Sequence, residues 1–124
     1  MNYDPNKTPV PDVWLALDEA ERIMLAAAYH KRIREKLPNR RLHATIHVVI
    51  ENQIAERIPV VVDALNRLTT DGLDRHDAIH AIGSVLTKHI FHLMKDKATS
   101  PDPNDVYFQE LKELTASAWL QKAR

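Results

Sequence analysis

The chain reads as all-α: a single-domain bundle of about five helices with up-down connections. Three observations predict this. The 124 residues contain two glycines, too few for the tight turns of an all-β fold. Seven prolines stand almost entirely at the edges of apolar-periodic segments, where a missing N–H is tolerated. Between those edges apolar residues return at helical spacing, the pattern of a helix with one buried face.

The elements follow in order. Pro5, Pro9 and Pro11 mark residues 1–17 as an extended lead-in, with Trp14 to Leu17 as a short helical turn, before a bundle domain over 18–124. Asp18 caps a first helix that carries Glu19 and Glu21 in its opening turn and runs to about Leu37, stopped by Pro38. Asn39 caps a second, from Arg40 to about Arg57. Pro59 opens a third, which ends near Thr70 with Gly72 as the left-handed residue beyond it. Asp74 caps a fourth over Arg75 to about Lys95, with Asp77 completing a capping-box-like pair. A loop over Asp96 to Asp102 leads to Pro103 and a fifth helix ending near Lys122. Short connectors between the first four predict antiparallel neighbours.

Composition excludes several functions. Lys+Arg 17 against Asp+Glu 17 gives a net charge of zero, which disfavours a chain that coats nucleic acid or an anionic membrane. The absence of cysteine removes thiol catalysis, disulfides and cysteine-based metal sites. No apolar run approaches the roughly 20 residues of a membrane span or forms a signal sequence, so a cytoplasmic protein without a membrane partner is expected.

The histidines carry the chemistry. His43 and His47 in LHATIH share their spacing with His76 and His80 in RHDAIH. Side chains four residues apart project from one helix face, close enough for two imidazoles to reach one ion. Glu51 extends the first stripe by a turn. On a helical wheel this stripe falls between an apolar arc of Leu42, Ile46, Val49, Ile50 and Ile54 and a smaller patch of Ala44, Val48 and Ala55. Asn52 falls toward solvent, and Gln53 lies in the arc and needs a partner. His76 and His80 flank the apolar arc of the fourth helix beside Gly83, a position open to close approach. If the second and fourth helices run parallel, the two pairs sit within about 3 Å of one level. Neutral imidazoles suit a divalent transition metal such as Zn, Fe or Ni. His43, His47, His76 and His80 are therefore candidate ligands, and Glu51 is a candidate ligand or general base for metal-activated water. The HExxH glutamate of zinc proteases is missing, since positions 44 and 77 are Ala and Asp. The competing reading is a non-catalytic interaction module, including a homo-oligomer, whose histidines only knit helices together.

Other residues read more simply. His30, in the apolar arc of the first helix, reads as a buried histidine satisfied by one hydrogen bond, with a fifth ligand as the alternative. His89 and His92 read as packing or surface residues, and Phe91 and Met94 as walls of the histidine site. The basic run Lys31, Arg32, Arg34, Lys36, Arg40 and Arg41 matches a helix C-terminus better than a nucleic-acid surface, because no aromatic residues interleave it.

The segments HATIHVVIENQIAE and GLDRHDAIHAIGSVLTKHI resemble those of an uncharacterised family of small bacterial helical proteins, a domain of unknown function. The likeness covers about residues 14–95 and implies an all-α fold and a bacterial cytoplasmic setting. It implies no activity or site residues.

Overall fold

The computed structural model describes residues 2–32, 39–96 and 104–122. Among these the chain is all-α, with seven helices and no strand: α1 (Pro11–Ala16), α2 (Glu19–Arg32), α3 (Arg40–Ala55), α4 (Pro59–Thr70), α5 (Arg75–Asp96), α6 (Asn104–Glu113) and α7 (Ala116–Lys122). No helix among the described residues is long and apolar enough to cross a membrane.

Seven helices replace the expected five for two local reasons. The turn at Trp14 is a full helix opened by Pro11 at its first position. The expected fifth helix breaks into α6 and α7, because Thr115 Oγ1 accepts the Ala118 N–H at 3.1 Å and so caps a new helix. The end of the expected first helix, with Arg34, Lys36, Leu37 and Pro38, lies outside the described residues, as does most of the loop before α6.

The expected caps form elsewhere. Asn39 Oδ1 accepts the Leu42 N–H at 3.0 Å, and Asp74 Oδ1 accepts the Asp77 N–H at 2.7 Å. Gly72, at φ 108°, closes α4 with Leu73 N–H bonded to the Leu68 carbonyl and its own N–H to that of Thr69. α3 ends in the same double-bonded motif, with Ile58 on Gln53 and Arg57 on Ile54. Its left-handed residue is Arg57, at φ 59°. A side chain there makes this the more costly of the two turns.

Helix α3 is the central element, lying between two apolar cores. Ile50 joins the larger core, where Val61, Leu68, Ile79, Ile82, Tyr107 and Leu111 from α4, α5 and α6 are buried. Ala44 and Val48 join the smaller one with Ala26, Trp14 and Tyr3. The apolar arc and patch read from the wheel thus face different cores, and the stripe between them is enclosed. Residues 2–17 do not stand apart from the domain, since Tyr3, Pro5 and Trp14 are buried in it. Asn52 is drawn inward as well, accepting from Trp14 Nε1 at 2.9 Å and Arg22 Nη1 at 3.0 Å. Gln53 finds its partner in the Tyr107 hydroxyl, at 2.8 Å.

Candidate metal centre

The enclosed stripe of α3 meets α5 along a defined pairing. Gly83 lies against Ile46, His80 against His43, His76 against His47 and Arg75 against Glu51. From His43 through His47 to Glu51 on α3 the partners step down α5 from His80 through His76 to Arg75, so the two helices run in opposite senses here. The parallel alignment expected from the sequence is therefore reversed. The pairs still meet, because two matched i, i+4 spacings superimpose in either direction. Gly83 sets how closely: a Cβ there would stand 2.9 Å from Ile46 Cγ2. Its room is used by a neighbouring side chain.

Three ring nitrogens form a tight triangle. Nε2 of His47 lies 3.0 Å from Nε2 of His80 and 3.2 Å from that of His43, and the last two are 3.1 Å apart. Each Nε2 carries one in-plane lone pair or one N–H, so three mutual hydrogen bonds are geometrically excluded. A shared cation satisfies all three at once. At a metal–nitrogen distance of about 2.1 Å these edges subtend angles of about 91–99°.

His30 and His76 extend the group. Ligand atoms of His30, His47, His76 and His80 all lie within 4.8 Å of one another. The ring centroids of His30 and His80 are 6.5 Å apart with their planes 24° from parallel, while His47 lies 4.6–5.3 Å from each of the other four. Imidazoles opposite one another on a single ion place their centroids about 6.5 Å apart, and adjacent ones about 4.6 Å, given the same bond length. His47 is therefore adjacent to each of the other four rings. His30, read from sequence as a buried histidine satisfied by one hydrogen bond with a fifth ligand as the alternative, is buried, makes such a bond to the Ala26 carbonyl and belongs to this group.

Second contacts fix the tautomers. His30 Nδ1 donates to the Ala26 carbonyl at 2.8 Å, which places its lone pair on Nε2. The Tyr3 hydroxyl donates to Glu51 Oε2 at 2.6 Å and lies 3.1 Å from His47 Nδ1. With its single proton given to the carboxylate, Tyr3 accepts from Nδ1–H and leaves the Nε2 lone pair of His47 facing the triangle. Burial, reinforced by the Glu51 charge, raises the Tyr3 hydroxyl far above its ordinary range, so it keeps that proton.

Glu51, expected as ligand or base, has a different task. Its Oε1 accepts from Arg75 Nη2 at 2.6 Å, and its Oε2 accepts from Arg75 Nη1 at 2.8 Å as well as from Tyr3. Both oxygens are committed to this bidentate pair and the hydroxyl, one shell outside the imidazoles. Burial pulls the Arg75 guanidinium down, and the hydrogen bonds and charge of Glu51 more than reverse that, holding it above its ordinary value. Arg75 Nη1 also donates to the Pro5 carbonyl at 2.8 Å, and Asn6 Oδ1 accepts the His76 N–H at 3.0 Å, so Pro5 and Asn6 join Tyr3 at the site. Sequence reasoning missed Tyr3 and Arg75. The signals were a lone aromatic in a polar lead-in and a cation directly before a histidine.

Electrostatics keep His47 and His80 neutral. Burial, then the neighbouring imidazoles led by His80, pushes His47 far below the ordinary histidine range. Burial and then His76, His43 and His30 bring His80 down to about 3. Two rings held neutral near pH 7 present lone pairs, the state a metal requires.

On one side the cluster opens into a cavity of 380 Å³, where His43, His47 and His80 meet Leu42, Ile46, Ile79, Gly83 and Trp119. Phe91 and Met94 are 58% and 75% exposed and do not wall the site; His92 is exposed, and His89 packs its ring on Tyr107. Comparison with protein-family models, curated proteins and solved structures returns no match.

Proposed function

We propose that the protein binds one divalent transition-metal ion through His30, His47, His76 and His80, with His43 as the fifth nitrogen on the cavity side. The observation that carries this reading is the Nε2 triangle of His43, His47 and His80, whose 3.0–3.2 Å edges hydrogen bonding cannot satisfy together. Angles near 90° favour Fe²⁺ or Ni²⁺ over Zn²⁺, whose structural sites are tetrahedral. Tyr3, Glu51 and Arg75 orient His47 from behind, the arrangement in which an outer carboxylate tunes a ligand histidine. Such an ion acts as a Lewis acid toward whatever reaches it from the cavity.

The test is metal analysis of protein purified without a histidine tag, followed by titration of the metal-free form with Fe²⁺, Ni²⁺ and Zn²⁺. About one ion per chain is expected. At a free-ion concentration 100 times Kd the gain of about 2.7 kcal/mol raises Tm by about 10 °C for a chain of this length. His47→Ala/His80→Ala abolishes both effects, and His80→Gln alone weakens them in a fold checked by circular dichroism. Metal-free protein whose Tm no ion moves would leave the histidines as a packing network of an interaction module.

A further inference from the structure

We infer that the cavity beside the imidazole cluster binds a small apolar carboxylate whose head group joins the coordination sphere of the ion next to His43. This rests on the metal reading above and names what that centre takes. The ligand set is all histidine, so a bound dication keeps both positive charges in a largely buried place. The carboxylate behind His47 is already neutralised by Arg75. An external anion is the remaining source of charge balance.

The cavity then selects the rest of the molecule. Among the described residues no Asp, Glu, Lys or Arg lines it, so of these groups the ion is the one that can hold a charged head. Leu42, Ile46, Ile79 and Trp119 supply apolar walls. The two hydroxyls present are spent internally, Ser84 Oγ on the Ala81 carbonyl at 2.7 Å and Thr87 Oγ1 on the Gly83 carbonyl at 2.8 Å. A sugar or nucleotide would find few partners on such walls, whereas an aliphatic or aromatic tail loses nothing. At 380 Å³ the space stands at the small end of ligand sites and suits hexanoate or benzoate.

The experiment titrates Co²⁺ into metal-free protein, following visible absorbance, and then adds acetate, hexanoate, benzoate or hexylamine to the cobalt-loaded form. Hexanoate and benzoate are expected to shift the cobalt bands with a Kd at least tenfold below that of acetate, and hexylamine to leave them unchanged. Trp119→Ala, with Leu42→Ser as a second variant in case α7 is disturbed, should erase the tenfold preference without altering cobalt affinity. Hexanoate binding no tighter than acetate, or binding equally to cobalt-free protein, overturns the inference while the metal centre stands. Failure of Co²⁺ to bind overturns the centre first, and the inference with it.

Discussion

Replacing Tyr3 by Phe tests the support behind the cluster through a single atom. The ring contacts of Tyr3 with Trp14 and Tyr29, at 5.6 and 6.3 Å, do not involve the hydroxyl and are kept. What goes is a 2.6 Å bond to a charged acceptor and the acceptor 3.1 Å from His47 Nδ1. A hydrogen bond to a charged group contributes about 1.5–3 kcal/mol, and a buried donor left unsatisfied costs about 1–3 kcal/mol. The two describe overlapping parts of one network, so the expected loss is about 2–4 kcal/mol. With an unfolding entropy of about 2.1 cal/mol/K per residue, the metal-free protein should melt about 8–15 °C lower. Metal affinity should fall about 10–100-fold, because His47 loses the contact that fixes its tautomer. Thermal melts by circular dichroism and a competitive metal titration measure the two effects. A Tm within about 3 °C of the parent together with unchanged affinity would refute the orienting role of Tyr3.

Acid should destabilise the metal-free protein. His47 and His80 are held below their unfolded value, so below pH 6.5 the unfolded chain takes up protons that the folded one refuses. Stability is then full above pH 6.5 and declines as pH falls toward about 3, by up to about 1.4 kcal/mol per pH unit per histidine. Urea midpoints at pH 7.5 and 4.5 should differ less in His80→Gln, and equal differences would count against a neutral cluster. Gly83→Ala should destabilise by about 1–2 kcal/mol, since the new Cβ meets the stiff Ile46 Cγ2. In an Ile46→Ala background the same change should become stabilising by up to about 1 kcal/mol, as helix propensity then acts alone. An identical effect in both backgrounds, read by urea unfolding, would remove Ile46 as the reason for glycine.

The legible part of the fold was its punctuation. Asn39, Pro59, Gly72 and Asp74 bound their helices where local hydrogen bonding places them, because caps depend on residues within one turn. The break at Thr115 was less legible, since the apolar stripe of Tyr107, Leu111 and Leu114 runs on toward Ala118 without a proline or glycine between. Arg57 was hidden for the opposite reason: a left-handed turn was filled by a side chain that ordinarily avoids it.

In the candidate site, periodicity alone put His43, His47 and Glu51 on one stripe and His76 and His80 on another. Period is a property of a single helix, and a wheel reads it without knowing the neighbours. Which stripe meets which, in what sense, and what else arrives is a matter of packing between elements distant in sequence. Packing brought His30 in from α2, and it brought Tyr3 and Arg75 to Glu51 from positions 48 and 24 residues away. The sequence by itself therefore determined the all-α character, the helix ends at Asn39, Pro59, Gly72 and Asp74, and the histidine spacing, because these are set by local chemistry. The tertiary structure alone decided that Glu51 serves Arg75 and Tyr3 while the imidazoles of three helices gather around His47, because a buried carboxylate takes the partners that neutralise it and only packing between distant helices brings their stripes together.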